Sequence, residues 1–187
     1  MIVTPLPDTL DFLASDLVRS PGLHASDIYN DFYRRLNPKR YDFEESNPVL
    51  MAIGTAWEKH FEYLLVKNGV QATRPPELLS PEGIAYSPDL IIFNGVTRVG
   101  EIKLTSMSAK DFPTEESEGL PPKLDKYLDQ MKLYAGWLEL RHGWLGILSI
   151  REPWNPVFRG FNLEWTAREL QECHQKFMTH AKCMGVL

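Results

Sequence analysis

Cysteine is scarce in this chain: two residues among 187, Cys173 and Cys183. Two thiols are too few for a zinc or iron–sulfur site built by this chain alone. Reduced, partly buried thiols are the expectation. No apolar run approaches the roughly 20 residues that a membrane-spanning helix needs. A basic surplus is also missing, since 20 Lys and Arg against 25 Asp and Glu leave a net charge of −5. Nucleic-acid proteins usually carry the opposite balance, so any such role has to rest on local charge. Gly-rich phosphate loops, internal repeats and low-complexity tracts are absent, which removes the P-loop and solenoid classes. Asp8, Asp11 and Asp16 precede any Lys or Arg, the reverse of a secretory signal. A soluble, intracellular protein is expected.

What is present fits one globular domain over residues 1–187, long enough to bury a sizeable core. The 43% apolar and 11% aromatic content excludes a disordered chain. Charge is unevenly spread: Arg34, Arg35, Lys39 and Arg40 form one basic knot, and Lys123, Lys126 and Lys132 form another. Asp111, Glu115, Glu116 and Glu118 concentrate negative charge in one loop. A solvated surface accounts for each knot equally well, so charge leaves the partner class open.

The organising stretch runs from Ser87 to Lys103. Two apolar, β-prone runs flank Asn94-Gly95, the strongest short hairpin signal. Folding it brings Asp89 beside Glu101, and period-2 alternation puts Lys103 on the Glu101 face with Ile102 turned away. Register decides whether the acids meet. A two-residue turn pairs Phe93 with Val96 and leaves Asp89 and Glu101 on opposite faces. A shared face requires a three-residue loop pairing Phe93 with Thr97, or a bulge near Gly100. Two carboxylates and a lysine so gathered suit metal-assisted phosphodiester hydrolysis around a hard divalent cation. The alternative is an ordinary exposed ion pair, worth little.

Around this hairpin the periodicity predicts helices. A short one is expected near Leu10–Val18. Ser26 is the expected N-cap of a second, through Leu36, with Ile28, Phe32 and Leu36 on one face. A third begins after Asn47-Pro48 and runs to Lys67, with Leu50, Ile53, Trp57, Phe61 and Leu64 toward the core. Glu58 and Glu62 share a neighbouring face of it, and Gly54 suggests close approach of another backbone. Asn68-Gly69 closes that helix, and Val70–Thr73 is a candidate strand. Residues 105–122 read as a mobile loop at the mouth of the site. A helix over Leu124–Leu140 carries Lys126, Gln130 and Tyr134 at i, i+4 and i+8, so one face offers a cation, an amide and a phenol. Trp144–Ile150 and Val157–Leu163 read as strands. Thr166 and Glu169 form a capping box for a last helix to about Met184.

Taken together, these residues resemble the PD-(D/E)XK nuclease superfamily, in its RecB-like branch that holds lambda-type recombination exonucleases. Pro88-Asp89 and Glu101-Ile102-Lys103 match the name-giving motif. Gly54-Thr55-Ala56-Trp57-Glu58 matches the upstream helical motif, Gln130-x-x-x-Tyr134 the downstream one, and His24-Ala25-Ser26-Asp27 an N-terminal one. The match spans residues 24–163. The resemblance implies an α/β fold, a central mixed sheet flanked by helices with a restriction-endonuclease-like core. It implies Mg²⁺ or Mn²⁺ held by Asp89, Glu101 and the Ile102 carbonyl, with Glu58 completing the site. Lys103 would assist the nucleophile; Gln130, Tyr134 and Lys126 would bind the strand. Relatives often have histidine at the Glu58 position. The cysteines that hold an iron–sulfur cluster in several of them are missing, so no cluster is expected. The implied activity is a metal-dependent DNA nuclease, an exonuclease rather than an endonuclease, in recombination, repair or phage DNA processing. DNA is the expected partner, with a recombination or single-strand-binding protein as a second. The alternatives are a non-catalytic DNA- or protein-binding module on the same scaffold, and a site-specific endonuclease.

Overall fold

The computed structural model describes residues 20–39, 48–113, 120–151 and 154–187. The helix expected near Leu10–Val18 lies outside them, as does Arg40 of the first basic knot. The helices are α1 (Ala25–Leu36), α2 (Pro48–Lys67), α3 (Asp125–Trp137) and α4 (Ala167–Cys183). The strands are β1 (Gln71–Thr73), β2 (Leu78–Leu79), β3 (Ala85–Tyr86), β4 (Leu90–Asn94), β5 (Val96–Thr105), β6 (His142–Ser149) and β7 (Val157–Glu164).

Five strands form one sheet in the order β1-β4-β5-β6-β7, while β2 and β3 pair separately. β5 and β6 run parallel and the other neighbours antiparallel, so the sheet is mixed. A parallel pair needs a crossover, and α3 lies in that connection. Alternation along the strands divides the core. Val99, Leu145 and Ile147 face α1, α3 and α4, where they join Ile28, Met131, Leu133 and Phe177. Leu90, Ile92 and Ile102 face the other way, onto Phe61 of α2. Each such buried aliphatic side chain contributes about 1.5–3 kcal/mol. Gly143 is needed on β6 because a Cβ there would lie 2.4 Å from Trp165 Cη2.

Several local expectations shift. The N-cap of α1 is His24, two residues earlier than Ser26, and the buried stripe is Ala25, Ile28, Tyr29 and Tyr33. Leu36 is left 64% exposed, and Ile53 on α2 is 47% exposed. α3 stops at Trp137 because Glu139 takes a left-handed φ of 56°. Leu140 N–H then donates to the Ala135 carbonyl, the bond pattern of a Schellman end with Glu in the place usual for Gly. Cys183 is exposed rather than partly buried. The described part of the expected mobile loop is tied down. A 3₁₀ turn spans Ala109–Asp111, Phe112 is buried in the core, and Ser149 Oγ donates to the Met107 carbonyl at 2.6 Å. The capping box forms as read: Glu169 N–H donates to Thr166 Oγ1, and Thr166 N–H donates to the Glu169 carboxylate.

Candidate active site

The β4–β5 hairpin sets the site. Phe93 pairs with Thr97 and Leu90 with Gly100, so the ladder follows the three-residue-loop register. Gly95 at the tip has a φ of 72°, a conformation that glycine adopts without steric penalty. One step beyond Leu90 and Gly100, the same register sets Asp89 across from Glu101. Asp89 Oδ2 accepts the Ile102 backbone N–H at 2.8 Å and lies 3.5 Å from Lys103 Nζ. Lys103 Nζ is in turn 2.6 Å from Glu101 Oε1. Glu101 Oε1 is thus a buried carboxylate oxygen in contact with the Lys103 ammonium.

Burial governs the charge states. It pushes the Glu101 carboxyl up from 4.5 to about 7, with the Asp89 charge adding to the rise and Lys103 opposing it. Burial alone would lower the Lys103 ammonium, but Asp89 and Glu101 together hold its pKa well above the ordinary lysine value. Lys103 is therefore a fixed cation at neutral pH, while Glu101 ionises only at a cost. A cation supplied from solution would remove that cost.

α3 presents the expected face. Lys126, Gln130 and Tyr134 all line a cavity of about 290 Å³ together with Asp89, Glu101 and Lys103. Tyr134 is only 2% exposed, deeper than an amphipathic helix suggests. Burial, then Glu101 and Asp89, push its phenol well above the usual range, so it stays a neutral O–H donor. Lys126 Nζ donates to Asn30 Oδ1 at 3.0 Å. The far wall holds His24, whose Nδ1 lies 3.4 Å from Glu77 Oε2. A second cavity of about 560 Å³ opens beside Glu58, Ile102 and Thr105, and shares Lys103 and Tyr127 with the first. The Tyr127 ring lies 5.0 Å from Lys103 Nζ and 4.9 Å from Lys126 Nζ, which suits two cation–π contacts.

Glu58 does not join the other two acids. Its Oε2 accepts from Arg74 Nη2 at 2.7 Å in an ion pair. Burial, then the Asp89 charge, still raise its carboxyl pKa, with Lys103 and Arg74 pulling the other way. Among the described residues, no three His, Cys, Asp or Glu side chains form a group able to hold a metal ion. Two acids thus converge where three were expected. Those two nevertheless suit a hard divalent cation: both line one cavity and offer carboxylate oxygens, the donor type that such ions take.

Arg74, Asn30, Glu77 and Tyr127 escaped sequence reading. Arg74, Asn30 and Glu77 have no local signature, because each meets the site through a distant element. Tyr127 had one weak sign, its place directly after Lys126 on the predicted helix.

Gly54 is open. A Cβ built there meets nothing within 4 Å, so no backbone packs against it, contrary to the expectation of close approach. Gly54 instead lines the second cavity.

No family model matches the chain, and no curated protein matches it. Among solved structures the chain is similar to LHK-Exo, an alkaline exonuclease from Laribacter hongkongensis, with a TM-score of 0.56 and 16% identity. A second crystal structure of LHK-Exo, in complex with dAMP, gives the same TM-score at 15% identity. In both, the alignment covers 93% of this chain and 91% of that one. The chain has the mixed α/β fold of these structures, a central sheet flanked by helices with a restriction-endonuclease-like core.

Proposed function

We propose that this chain is a metal-dependent deoxyribonuclease that hydrolyses phosphodiester bonds, acting as an exonuclease. The observation that carries the reading is the meeting of Asp89, Glu101 and Lys103 at one end of a parallel–antiparallel sheet junction. The likeness to an exonuclease fold, one example of which was solved with dAMP, supports DNA as the substrate class. Mg²⁺ or Mn²⁺, held by Asp89, Glu101 and the Ile102 carbonyl with Glu58 nearby, would supply Lewis acidity toward the phosphate and its attacking water.

The chain's own groups do the remainder. The Ile102 N–H aims Asp89 into the cavity. Lys103, permanently charged, acts as a positioned cation rather than a base. It orients the attacking water by donating to it and offsets the charge that develops on phosphorus. Tyr134 donates its O–H, and Gln130 and Lys126 hold the strand on the α3 side. Among the described residues no helix is long and apolar enough to cross a membrane. A role in recombination, repair or phage DNA processing, with a partner protein, belongs to the same proposal.

The test is digestion of end-labelled linear DNA and closed circular DNA, with and without Mg²⁺. An exonuclease degrades the linear substrate only with metal and spares the circle. Discrete fragments from the circle would instead mark an endonuclease. Binding without cleavage at any metal concentration would leave a non-catalytic module.

A further inference from the structure

Arg74 is held by its backbone and is half-buried at its side chain. It directly follows β1, and its N–H donates to Glu62 Oε1 at 3.0 Å, one turn from Glu58 on α2. Its guanidinium meets Glu58 at a single point, Nη2 to Oε2 at 2.7 Å, while its Nε is buried without an acceptor. A two-point fork would satisfy both nitrogens and hold far better. The pair is also partly open to solvent, with Arg74 33% and Glu58 20% exposed, so it is screened and exchangeable. On its other side Glu58 borders the cavity that shares Lys103 with Asp89 and Glu101.

We propose that Arg74 is a competing counter-ion for Glu58, and that it decides whether this carboxylate takes part in binding the cation. With Arg74 in contact, the site offers two acids; with Arg74 displaced, it offers three. This rests on the cation site proposed above. Arg74 is a positioning residue, acting through Glu58 alone.

The experiment is Mn²⁺ titration of the DNA-free full chain, followed by calorimetry and by the electron paramagnetic resonance of unbound Mn²⁺. Four proteins are compared: the parent, Arg74→Gln, Glu58→Gln and the double variant. Freeing Glu58 in Arg74→Gln is expected to tighten Mn²⁺ by about three- to tenfold. In the Glu58→Gln background the same change should alter affinity by less than about twofold, since only through-space repulsion is then removed. Thermal melts check folding. Should Arg74→Gln not fold, Arg74→Met, which keeps the apolar stem but not the charge, should tighten Mn²⁺ in the same direction. An Arg74→Gln protein with parental or weaker affinity overturns the inference, as does an equal gain in the Glu58→Gln background. If the parent protein binds no Mn²⁺ at all, the cation site itself fails and takes this inference with it. If Mn²⁺ binds and only the Arg74 effect is missing, the proposed activity stands.

Discussion

Lys103 Nζ lies 2.6 Å from Glu101 Oε1, two residues along the same face of β5, and Glu101 is only 1% exposed. A buried carboxylate and a half-buried ammonium thus depend on each other. Removing one partner of such a pair commonly costs about 3–5 kcal/mol, because the other charge is left uncompensated. Lys103→Ala should lower the melting temperature of the metal-free protein and cut DNA hydrolysis by at least about 100-fold. Added Mg²⁺ should recover part of the stability and none of the rate. Undiminished digestion by this variant would remove Lys103 from the mechanism.

Glu101 links stability to pH. Its carboxyl rises from 4.5 to about 7 on folding, so the folded state binds the proton more tightly than the unfolded chain. The stability it contributes is fully present below pH 4.5 and is lost as pH climbs through about 7. That gap corresponds to as much as ~3 kcal/mol. In metal-free protein, Glu101→Gln should therefore melt no lower than the parent at pH 8. The stabilisation gained from Mg²⁺ should be larger at pH 8 than at pH 5.5, and Glu101→Gln should abolish the difference. Melting curves at the two pH values, with Mg²⁺ or a chelator, measure both.

Tyr134 offers a donor rather than a base. Its phenol is pushed far above the working range by burial and by the two acids, so it never ionises during turnover. Tyr134→Phe should lower kcat/KM by roughly 3- to 30-fold, the worth of a hydrogen bond to a charged group. The alkaline limb of the pH–rate profile should stay where it is. A shift of that limb would mean that the phenol itself titrates.

Gly54 gives a test with the opposite sign. Nothing lies within 4 Å of a Cβ added there, and the residue is inside α2. Gly54→Ala should raise stability by about 0.5–1 kcal/mol, the usual gain in a helix interior. A lower melting temperature would show that the open space is needed.

How much of this could be read in advance divides along the range of the interactions. The hairpin is local, and its turn residues and alternation were enough to state which pairing would join Asp89 to Glu101. Phe93 opposite Thr97 is that pairing. The Thr166–Glu169 cap and the Lys126, Gln130, Tyr134 face are local too, and both formed. What failed depends on tertiary partners. Leu36 and Ile53 fit a helical stripe but are left exposed in the fold. Ser26 suited an N-cap, yet His24, two residues earlier, bridges to Ala85 in extended conformation, and α1 starts directly after it. Glu58 was expected to complete the cation site; its ion pair with Arg74 was not foreseen, because Arg74 reaches it from sixteen residues away.

The tip of the β4–β5 hairpin is exposed and carries no reacting group. Its composition is free to drift so long as the bend survives. Its length is not, because gain or loss of one residue there reverses the parity of every position that follows. Glu101 and Lys103 would then swap sides with Ile102, placing charge against Phe61 and an apolar side chain in the cavity. The geometry of the proposed site is thus counted out at the far end of the ribbon, where no scan for functional side chains would look.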